Sequence, residues 1–420
     1  MSPAQLSLAP APRGPRPGHA RHLTESLLVE VPAAAPDDTN ESVFRIFETR
    51  PALIGLPVVE NGVPIGLINR NIFMQSMARP FHRELFLKKS CIAFMDKSPL
   101  VVEGDTSIQD LSFRALENGT KTLADGFIIT QGGHYAGMGI GLDLVRTIAD
   151  MQAEKNRLVM ESIGYASIIQ KSLGRASREA LRQELPDHFL LWEPRDVVSG
   201  DYFYFLPREE GFFAALFDCT GHGVPGAFMT LIMTSFLQTT LTEESCQNPG
   251  AVLAALNRRV KKALGQVDHS AEEEREETET GSDDGMDAAF CWYDRATRRI
   301  TFAGAHMAML LLAPGQAEVD MVNGDRAGVG YATTPLDQRW ENQSCVLEEG
   351  TAVYFFSDGY VDQLGGERRI AFGKRRLCAT LAEMRELPMP EQRQALLAAL
   401  LAYQGAENRR DDVSALGFRV

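Results

Sequence analysis

The chain has 420 residues, 44% of them hydrophobic, so it is long enough for two folded domains. Its formal net charge of −14 argues against a general binder of nucleic acid or anionic membranes, and we expect neither partner. The six cysteines show no CxxC spacing, which is typical of reduced thiols in a cytoplasmic protein. No apolar run reaches the ~18 residues of a membrane span. The sequence therefore predicts a cytoplasmic protein without a membrane segment.

The first 41 residues predict a disordered tail. Residues 1–22 are rich in Pro, Ala and Arg and contain no acidic residue. They lack the apolar core of a secretory signal, and such a composition buries too little apolar surface to fold.

Residues 42–143 contain one small unit twice. The stretch from Leu56 to Asn69 places apolar residues on both sides of a Glu-Asn-Gly turn, which predicts a hairpin followed by a helix. Residues 126–139 repeat this plan about 70 residues later, which indicates an internal duplication.

The duplicated unit resembles a pair of CBS modules, a regulatory nucleotide-binding unit. Members that bind adenosine nucleotides often have an acid at the start of the helix after the second strand. Asp143 holds that place in the second copy, whereas Ile72 holds it in the first. The resemblance thus implies an adenine nucleotide near Asp143. The alternative is that Asp143 is only an acid at a helix N-terminus, where it interacts favourably with the helix dipole.

Residues 144–184 predict a helical linker with a coiled-coil seam. Seam positions recur at alternating spacings of four and three: Leu144, Ile148, Met151, Lys155, Leu158, Ser162, Tyr165, Ile169 and Ser172. Two readings follow from this pattern, a parallel dimeric stalk and a single amphipathic helix packed on its own domain. We favour the stalk, and so expect a homodimer joined through it.

Residues 185–420 contain four short acidic motifs. They are Ser199-Gly200-Asp201, Asp218 within FDCTGHG, Ser357-Asp358-Gly359 and Arg410-Asp411-Asp412. Each puts an Asp beside a Gly or at the end of an apolar, strand-like run, which suits a site for hard divalent cations. Between them, the acidic run 271–279 predicts a disordered surface loop.

The stretches SGDYFYF, FDCTGHGVPGAFM, YFFSDGYVDQ and RRDDVSALGF resemble the motif series of PPM/PP2C phosphatases of the SpoIIE type. Further stretches, DDGMDAAF and GDRAGVGY among them, are similar to the SiaA-like subgroup. The resemblance implies an α+β fold, an α–β–β–α sandwich of two antiparallel sheets flanked by helices. It also implies a metal-dependent protein serine/threonine phosphatase.

For the site, the resemblance implies two Mn²⁺ or Mg²⁺ ions. Asp218 would bridge them, the main-chain carbonyl of Cys219 would add an oxygen, and Asp201 would bind the first ion. Asp218 and Asp201 are thus the predicted catalytic residues. Asp358 and Asp411 would complete the ligand set.

Three further assignments are less direct. Asp411 and Asp412 point to opposite faces if they lie in a strand, so only one of them can be a direct ligand. Asp287 is either an added carboxylate near the ions or a strand-edge acid. Arg326 is the candidate for binding the substrate phosphate through its planar guanidinium.

The resemblance further implies a substrate protein, a small phosphorylated bacterial regulator of the STAS anti-anti-sigma or SiaC-like kind. The N-terminal pair would regulate its dephosphorylation. The alternative is a catalytically inactive phosphatase fold that serves as a ligand-controlled scaffold.

Overall fold

The computed structural model of the protein describes residues 23–266 and 283–420, in two compact units that divide after Leu158. The acidic run 271–279 and residues 1–22 lie outside the described residues. Within the described ranges, no helix is both long and apolar enough to cross a membrane.

The N-terminal unit alternates short helices and strands. Its helices are α1 (Asn40–Thr49), α2 (Arg70–Met77), α3 (His82–Phe86), α4 (Ile108–Glu117) and α5 (Thr120–Asp125). Its strands are β1 (Gly55–Glu60), β2 (Val63–Asn69), β3 (Val101–Glu103), β4 (Phe127–Gln131) and β5 (His134–Gly139). Strands β1 and β2 pair antiparallel, while β3, β4 and β5 form a second sheet in which β3 runs parallel to β4.

The two predicted hairpins are confirmed. Glu60 pairs with Val63 across Asn61 and Gly62, whose φ angles are 49° and 82°. Gln131 pairs with His134 across two glycines with φ of 59° and 79°. Two consecutive residues with positive φ form the tight turn that matches strand twist, and Asn-Gly and Gly-Gly adopt it most readily.

The predicted tail is corrected for residues 23–41. Thr24–Leu27 form a 3₁₀ helix, Val29 bridges Met138, and Ala34 bridges Val58. Leu27 and Ala34 are buried in the core of this unit. The prediction of a tail is wrong here because it applies the composition of residues 1–22 to residues 23–41. This second segment has apolar residues of its own, which are buried.

The predicted linker 144–184 consists of two helices. Helix α6 (Gly141–Leu173) is continuous, and α7 (Arg175–Glu184) follows after one residue. Leu181 of α7 is buried in the core of the C-terminal unit, so α7 belongs to that fold. The side chains from Gln152 to Ser162 are all exposed.

The C-terminal unit has two five-stranded antiparallel sheets. The first has the order β13–β10–β9–β8–β7 and the second β12–β11–β14–β17–β6. The strands are β6 (His188–Glu193), β7 (Asp201–Pro207), β8 (Gly211–Cys219), β9 (Met286–Asp294), β10 (Arg299–Ala305), β11 (Met309–Leu312), β12 (Asp320–Val322), β13 (Gln343–Val346), β14 (Ala352–Phe356), β15 (Leu364–Gly365), β16 (Ile370–Ala371) and β17 (Val413–Arg419). Strands β15 and β16 form a separate small hairpin.

Helices cover the outer face of each sheet. They are α8 (Gly223–Thr240), α9 (Pro249–Ala263), α10 (Asp358–Val361), α11 (Lys374–Glu383) and α12 (Met389–Gln404). Helices α8 and α9 share a core with the first sheet, and α11 and α12 share one with the second. This is the predicted α–β–β–α sandwich.

Strand β8 explains the layering. Because successive side chains of a strand point to opposite faces, Phe213 and Phe217 pack under α8 and α9, while Phe212 and Leu216 enter the core between the sheets. Both faces are therefore apolar, which is why the sequence shows an uninterrupted run here. The run ends at Asp218, where the strand reaches the edge of the core.

Candidate metal centre

Three aspartates lie side by side at one end of the first sheet. Asp218 of β8 is the direct cross-strand partner of Asp201 on β7 and of Asp287 on β9. Directly opposed side chains on neighbouring strands lie ~5 Å apart, and like charges in that position are destabilising. Three carboxylates placed side by side therefore indicate a function other than stabilising the fold.

The second sheet brings further carboxylates to the same place. Ser357 and Asp358 follow β14, while Asp411 and Asp412 precede β17, which pairs with β14. Repulsion from Asp358 and Asp411 acts on Asp218. Residues from the ends of both sheets thus converge, although more than two hundred positions of sequence separate some of them.

Asp201 joins the two sheets. Its Oδ2 accepts hydrogen bonds from the hydroxyls of Ser357 and Ser414, both at 2.7 Å. The side chain is fully buried, and its Oδ1 has no hydrogen-bond partner among the residues that the structure describes. An unpartnered buried carboxylate oxygen is costly, so this atom calls for a cation or a proton.

The electrostatics of the cluster agree with that requirement. Burial raises the pKa of Asp201 to about 7, although the two serine hydrogen bonds act in the opposite direction. Burial, followed by repulsion from Asp201 and Asp358, raises the pKa of Asp218 well above its usual range. Burial and repulsion from Asp411 raise the pKa of Asp358 to about 6. Bound cations would relieve each of these penalties.

Asp412 has a different position from Asp411. Its Oδ1 accepts the backbone N–H of Arg195 at 2.7 Å, and its Oδ2 accepts that of Gly200 at 2.6 Å. The side chain is buried, with both oxygens occupied by backbone donors. Asp412 thus holds the loop before Asp201, whereas half-buried Asp411 is the one whose charge acts on Asp218 and Asp358.

Glycines shape the backbone around Asp218 and Cys219. Gly221 has a φ of 83°, which only glycine adopts readily, so the chain turns sharply before α8 begins at Gly223. A Cβ on Gly200 would lie 2.5 Å from the carbonyl oxygen of Gly221 and 2.9 Å from that of Cys219. The backbone carbonyl of Cys219 is therefore in close contact with the segment that carries Asp201. The Cys219 thiol is buried, and its pKa is raised well above the usual range.

Two histidines form pairs with acids near the cluster. His306 Nδ1 lies 2.8 Å from Asp287 Oδ1, and the hydroxyl of Tyr331 lies 3.4 Å from the same oxygen. His222, at the start of α8, lies 2.9 Å from Asp196 on an exposed surface. Asp287 is thus beside Asp218 but has hydrogen-bond partners of its own.

Arg326, the predicted phosphate-binding residue, is exposed on the segment between β12 and β13. Its neighbour Asp325 bridges Ala305 on β10, which places the loop at the same end of the first sheet. Arg326 does not line the cavity that contains Asp218 and Asp358. Its role remains a prediction.

The donor set fits hard divalent cations. Across residues 23–266 and 283–420, no three His, Cys, Asp or Glu side chains form a ready-made metal group. The fit rests instead on chemistry: the unpartnered Oδ1 of Asp201, the raised pKa values of three carboxyls, and oxygen donors throughout. Asp201, Asp218, Asp358, Asp411 and the Cys219 carbonyl remain the predicted ligands.

Several residues that build this site were not identified from the sequence. Ser357 and Ser414 stand in motifs that were recognised, but nothing local indicated that both donate to Asp201. Gln170 of α6 is buried, donates to the Ser199 carbonyl at 2.6 Å and accepts from the Ser199 N–H at 3.1 Å. The buried face of α6 at this point carries Ser167 and Gln170 while its apolar residues are exposed, so the sequence contained no signal that Gln170 is buried.

Comparison with known proteins gives a family. The family model described as Stage II sporulation protein E (SpoIIE) matches residues 208–420, half of the chain, and a CBS domain model matches residues 27–78. The SiaA-PP2C domain of Pseudomonas aeruginosa is 32% identical, with 64% of this chain and 99% of that domain covered and a TM-score of 0.56. A structure of the PP2C phosphatase domain and a fragment of the regulatory domain of SpoIIE from Bacillus subtilis is 15% identical, with 56% of this chain and 63% of that chain covered and a TM-score of 0.41. No curated protein matches the chain.

Proposed function

The chain belongs to the SpoIIE family of PPM-type phosphatases and carries a CBS domain, and from this premise we propose that it dephosphorylates serine or threonine in a small regulatory protein. Phosphatases of this class use Mg²⁺ or Mn²⁺, and two such ions are proposed here. The observation that carries the proposal is the buried, unpartnered Oδ1 of Asp201 beside Asp218.

Each proposed ligand has a separate task. Asp218 lies opposite Asp201 and is repelled by Asp358 and Asp411 of the second sheet, so it would be the ligand shared by the two ions. Asp201 is held by Ser357 and Ser414, which leave its other oxygen for an ion. When bound, the ions supply an activated water and offset the charge of the phosphoryl oxygens.

The proposed substrate is a phosphorylated STAS-type or SiaC-like regulator. Support comes from the family and from the resemblance of the motifs to the SiaA-like subgroup. A partner protein also suits a site that opens at the edge of a sandwich, where a loop carrying a phosphorylated residue can enter.

We further propose that α6 regulates the site through Gln170. This side chain contacts Ser199 through both its amide oxygen and its nitrogen, and also donates to Thr230 of α8 at 3.1 Å. The Ser199 hydroxyl in turn accepts from the backbone N–H of Asp201 at 3.1 Å. A rotation of α6 that displaces Gln170 would therefore move a proposed metal ligand. Regulation of this kind needs two arrangements of a packed element.

The homodimer is likewise proposed to form through α6. Apolar side chains of this helix are exposed, including Leu158 at 53%, Tyr165 at 66% and Ile168 at 61%. Burying such a stripe against a second copy would remove apolar surface from water. The complete exposure of residues 152–162 supports a stalk for the middle of the helix only, because Leu144 near its start and Gln170 near its end are buried against the domains.

An adenine nucleotide at the N-terminal pair is the last part of the proposal. Asp143 lies in the first turn of α6 and forms a 3.8 Å ion pair with Arg146. Its side chain is 41% exposed, so it is accessible to a ribose hydroxyl. Titration of AMP, ADP and ATP into wild type and Asp143→Ala would test this. Equal affinity for both proteins would leave Asp143 with only its helix-terminal role.

The test of the main function is Mn²⁺- and Mg²⁺-dependent hydrolysis of a phosphoserine peptide and an aryl phosphate. We expect Asp218→Asn and Asp358→Asn to abolish turnover, since each removes a proposed ligand. Asp320→Asn, on the exposed edge strand β12, is the matched control and should keep wild-type activity. Metal binding without hydrolysis of any phosphoprotein offered would favour the inactive scaffold instead.

A further inference from the structure

A small cavity of about 100 Å³ adjoins the carboxylate cluster. Its lining includes four residues of the cluster and its surroundings, Asp218, Asp287, His306 and Asp358. Lys374 is the one lysine or arginine among the described residues that line it. A positive charge thus lies in the same cavity as the proposed metal ligands.

The backbone position of Lys374 is fixed by its local structure. It is the first residue of α11 and follows Gly373, whose φ of 81° turns the chain into the helix. Phe372 and Leu377, on either side, are buried in the core under the second sheet. The backbone of Lys374 is therefore anchored, while its side chain is exposed.

Within the described part of the chain Lys374 forms no ion pair, although its charge partly offsets the rise that burial causes in the pKa of Cys378. No carboxylate there lies within 4.0 Å of its ammonium group, although the neighbouring cavity wall is acidic. Much of the remaining lining is apolar, including Met307, Leu310 and Leu377. An ion pair formed beside apolar groups is weakened less by solvent than one on an open surface.

We propose that Lys374 binds the phosphoryl group of the substrate. The phosphate would lie between this ammonium and the ions held by Asp218 and Asp358, so that positive charge contacts it from two sides. An ammonium is a compact donor of three hydrogen bonds, which suits phosphate oxygens. The assignment rests on the proposed function, and it gives Lys374 the part predicted for Arg326, which lies outside the cavity lining.

The experiment measures inorganic phosphate binding to the full chain loaded with Mn²⁺, by calorimetry, so that it needs no turnover. Lys374→Ala should weaken phosphate affinity about ten- to a hundredfold, the effect of losing a charged hydrogen bond. Lys374→Arg should retain most of the affinity. Arg375→Ala, at the next position, which is also exposed, is the control and should change the phosphate affinity less than about twofold. Mn²⁺ affinity, titrated without phosphate, should be the same in all four proteins.

The outcomes separate this inference from the proposed function. Wild-type hydrolysis together with unchanged phosphate affinity in Lys374→Ala would overturn the assignment of Lys374 alone. A raised KM for the phosphopeptide with unchanged phosphate affinity would also overturn it, because Lys374 would then contact the peptide. If wild type hydrolyses no substrate and Lys374→Ala still binds phosphate more weakly than wild type does, the assignment of Lys374 is supported. The proposed phosphatase function would then be refuted.

Discussion

Replacing Asp201 by Asn should stabilise the metal-free protein, although it removes a proposed metal ligand. Asp201 is fully buried and lies opposite Asp218, and burial raises its pKa from 3.8 to about 7. The Asn carbonyl can still accept from Ser357 and Ser414. Its amide nitrogen would take the place of the unpartnered Oδ1 and could donate toward Asp218.

The magnitude follows from the pKa of Asp201. A rise of about three units corresponds to ~4 kcal/mol of penalty on the ionised folded state. Because Asp218 shares the repulsion, we expect Asp201→Asn to gain roughly 1–4 kcal/mol in the free energy of unfolding at pH 8. Between about pH 4 and 7 the folded state holds a proton that the unfolded chain has released. The stability of the metal-free wild type therefore falls as pH rises through this window and stays low above it.

The assay is urea or thermal denaturation in excess EDTA at pH 5 and pH 8, for wild type and Asp201→Asn. Each kcal/mol should shift Tm by roughly 2–4 °C in a domain of this size. Mn²⁺ should then restore stability to wild type by mass action, on the order of 3 kcal/mol at a hundred times its Kd, and far less to the variant. The reasoning is refuted if the variant is less stable than wild type at pH 8 in EDTA, or if wild type does not lose stability between pH 5 and 8.

Three further predictions concern neighbouring residues. Asp411→Ala should lower Mn²⁺ affinity with little loss of stability. Asp412→Ala should lower the free energy of unfolding by about 2–5 kcal/mol, because two buried backbone N–H groups lose their acceptor. Equal denaturation midpoints for the two variants would contradict this. Gln170→Ala should lower kcat through displacement of Ser199, with exposed Lys171→Ala as control, and identical kcat values would remove Gln170 from regulation. Leu158→Asp should convert a dimer to a monomer in sedimentation equilibrium without unfolding either unit, and an unchanged mass would exclude α6 as the interface.

The local features of this chain could be predicted because their causes are local. A Glu-Asn-Gly turn between two apolar runs becomes a hairpin, since Asn and Gly adopt the two positive φ angles that the turn requires. The apolar run before Asp218 becomes a buried strand for an equally local reason, its uniform apolarity. The motif series then indicated the sandwich and the family, and both were confirmed.

Composition misled the prediction where two unlike segments were treated as one. Residues 23–41 share a stretch of sequence with a Pro-, Ala- and Arg-rich segment, but Leu27 and Ala34 find buried positions in the N-terminal unit. Whether an isolated apolar residue is buried depends on partners far along the chain, such as Phe127 and Leu144, which share a core with Leu27. Propensity over a short window does not contain that information.

The sequence by itself predicted the carboxylates of the proposed site, because the glycines and strand ends next to Asp201, Asp218 and Asp358 are visible one motif at a time. Only the tertiary structure decided which role each of two adjacent carboxylates takes. Asp411 and Asp412 are chemically identical, yet the two N–H groups that Asp412 accepts come from Arg195 and Gly200, over two hundred residues away. The same holds for Gln170 and Lys374, whose significance lies in what the fold places beside them. Residue type sets what a side chain can bind, but its partners come from other elements, which only the folded chain brings within hydrogen-bond distance.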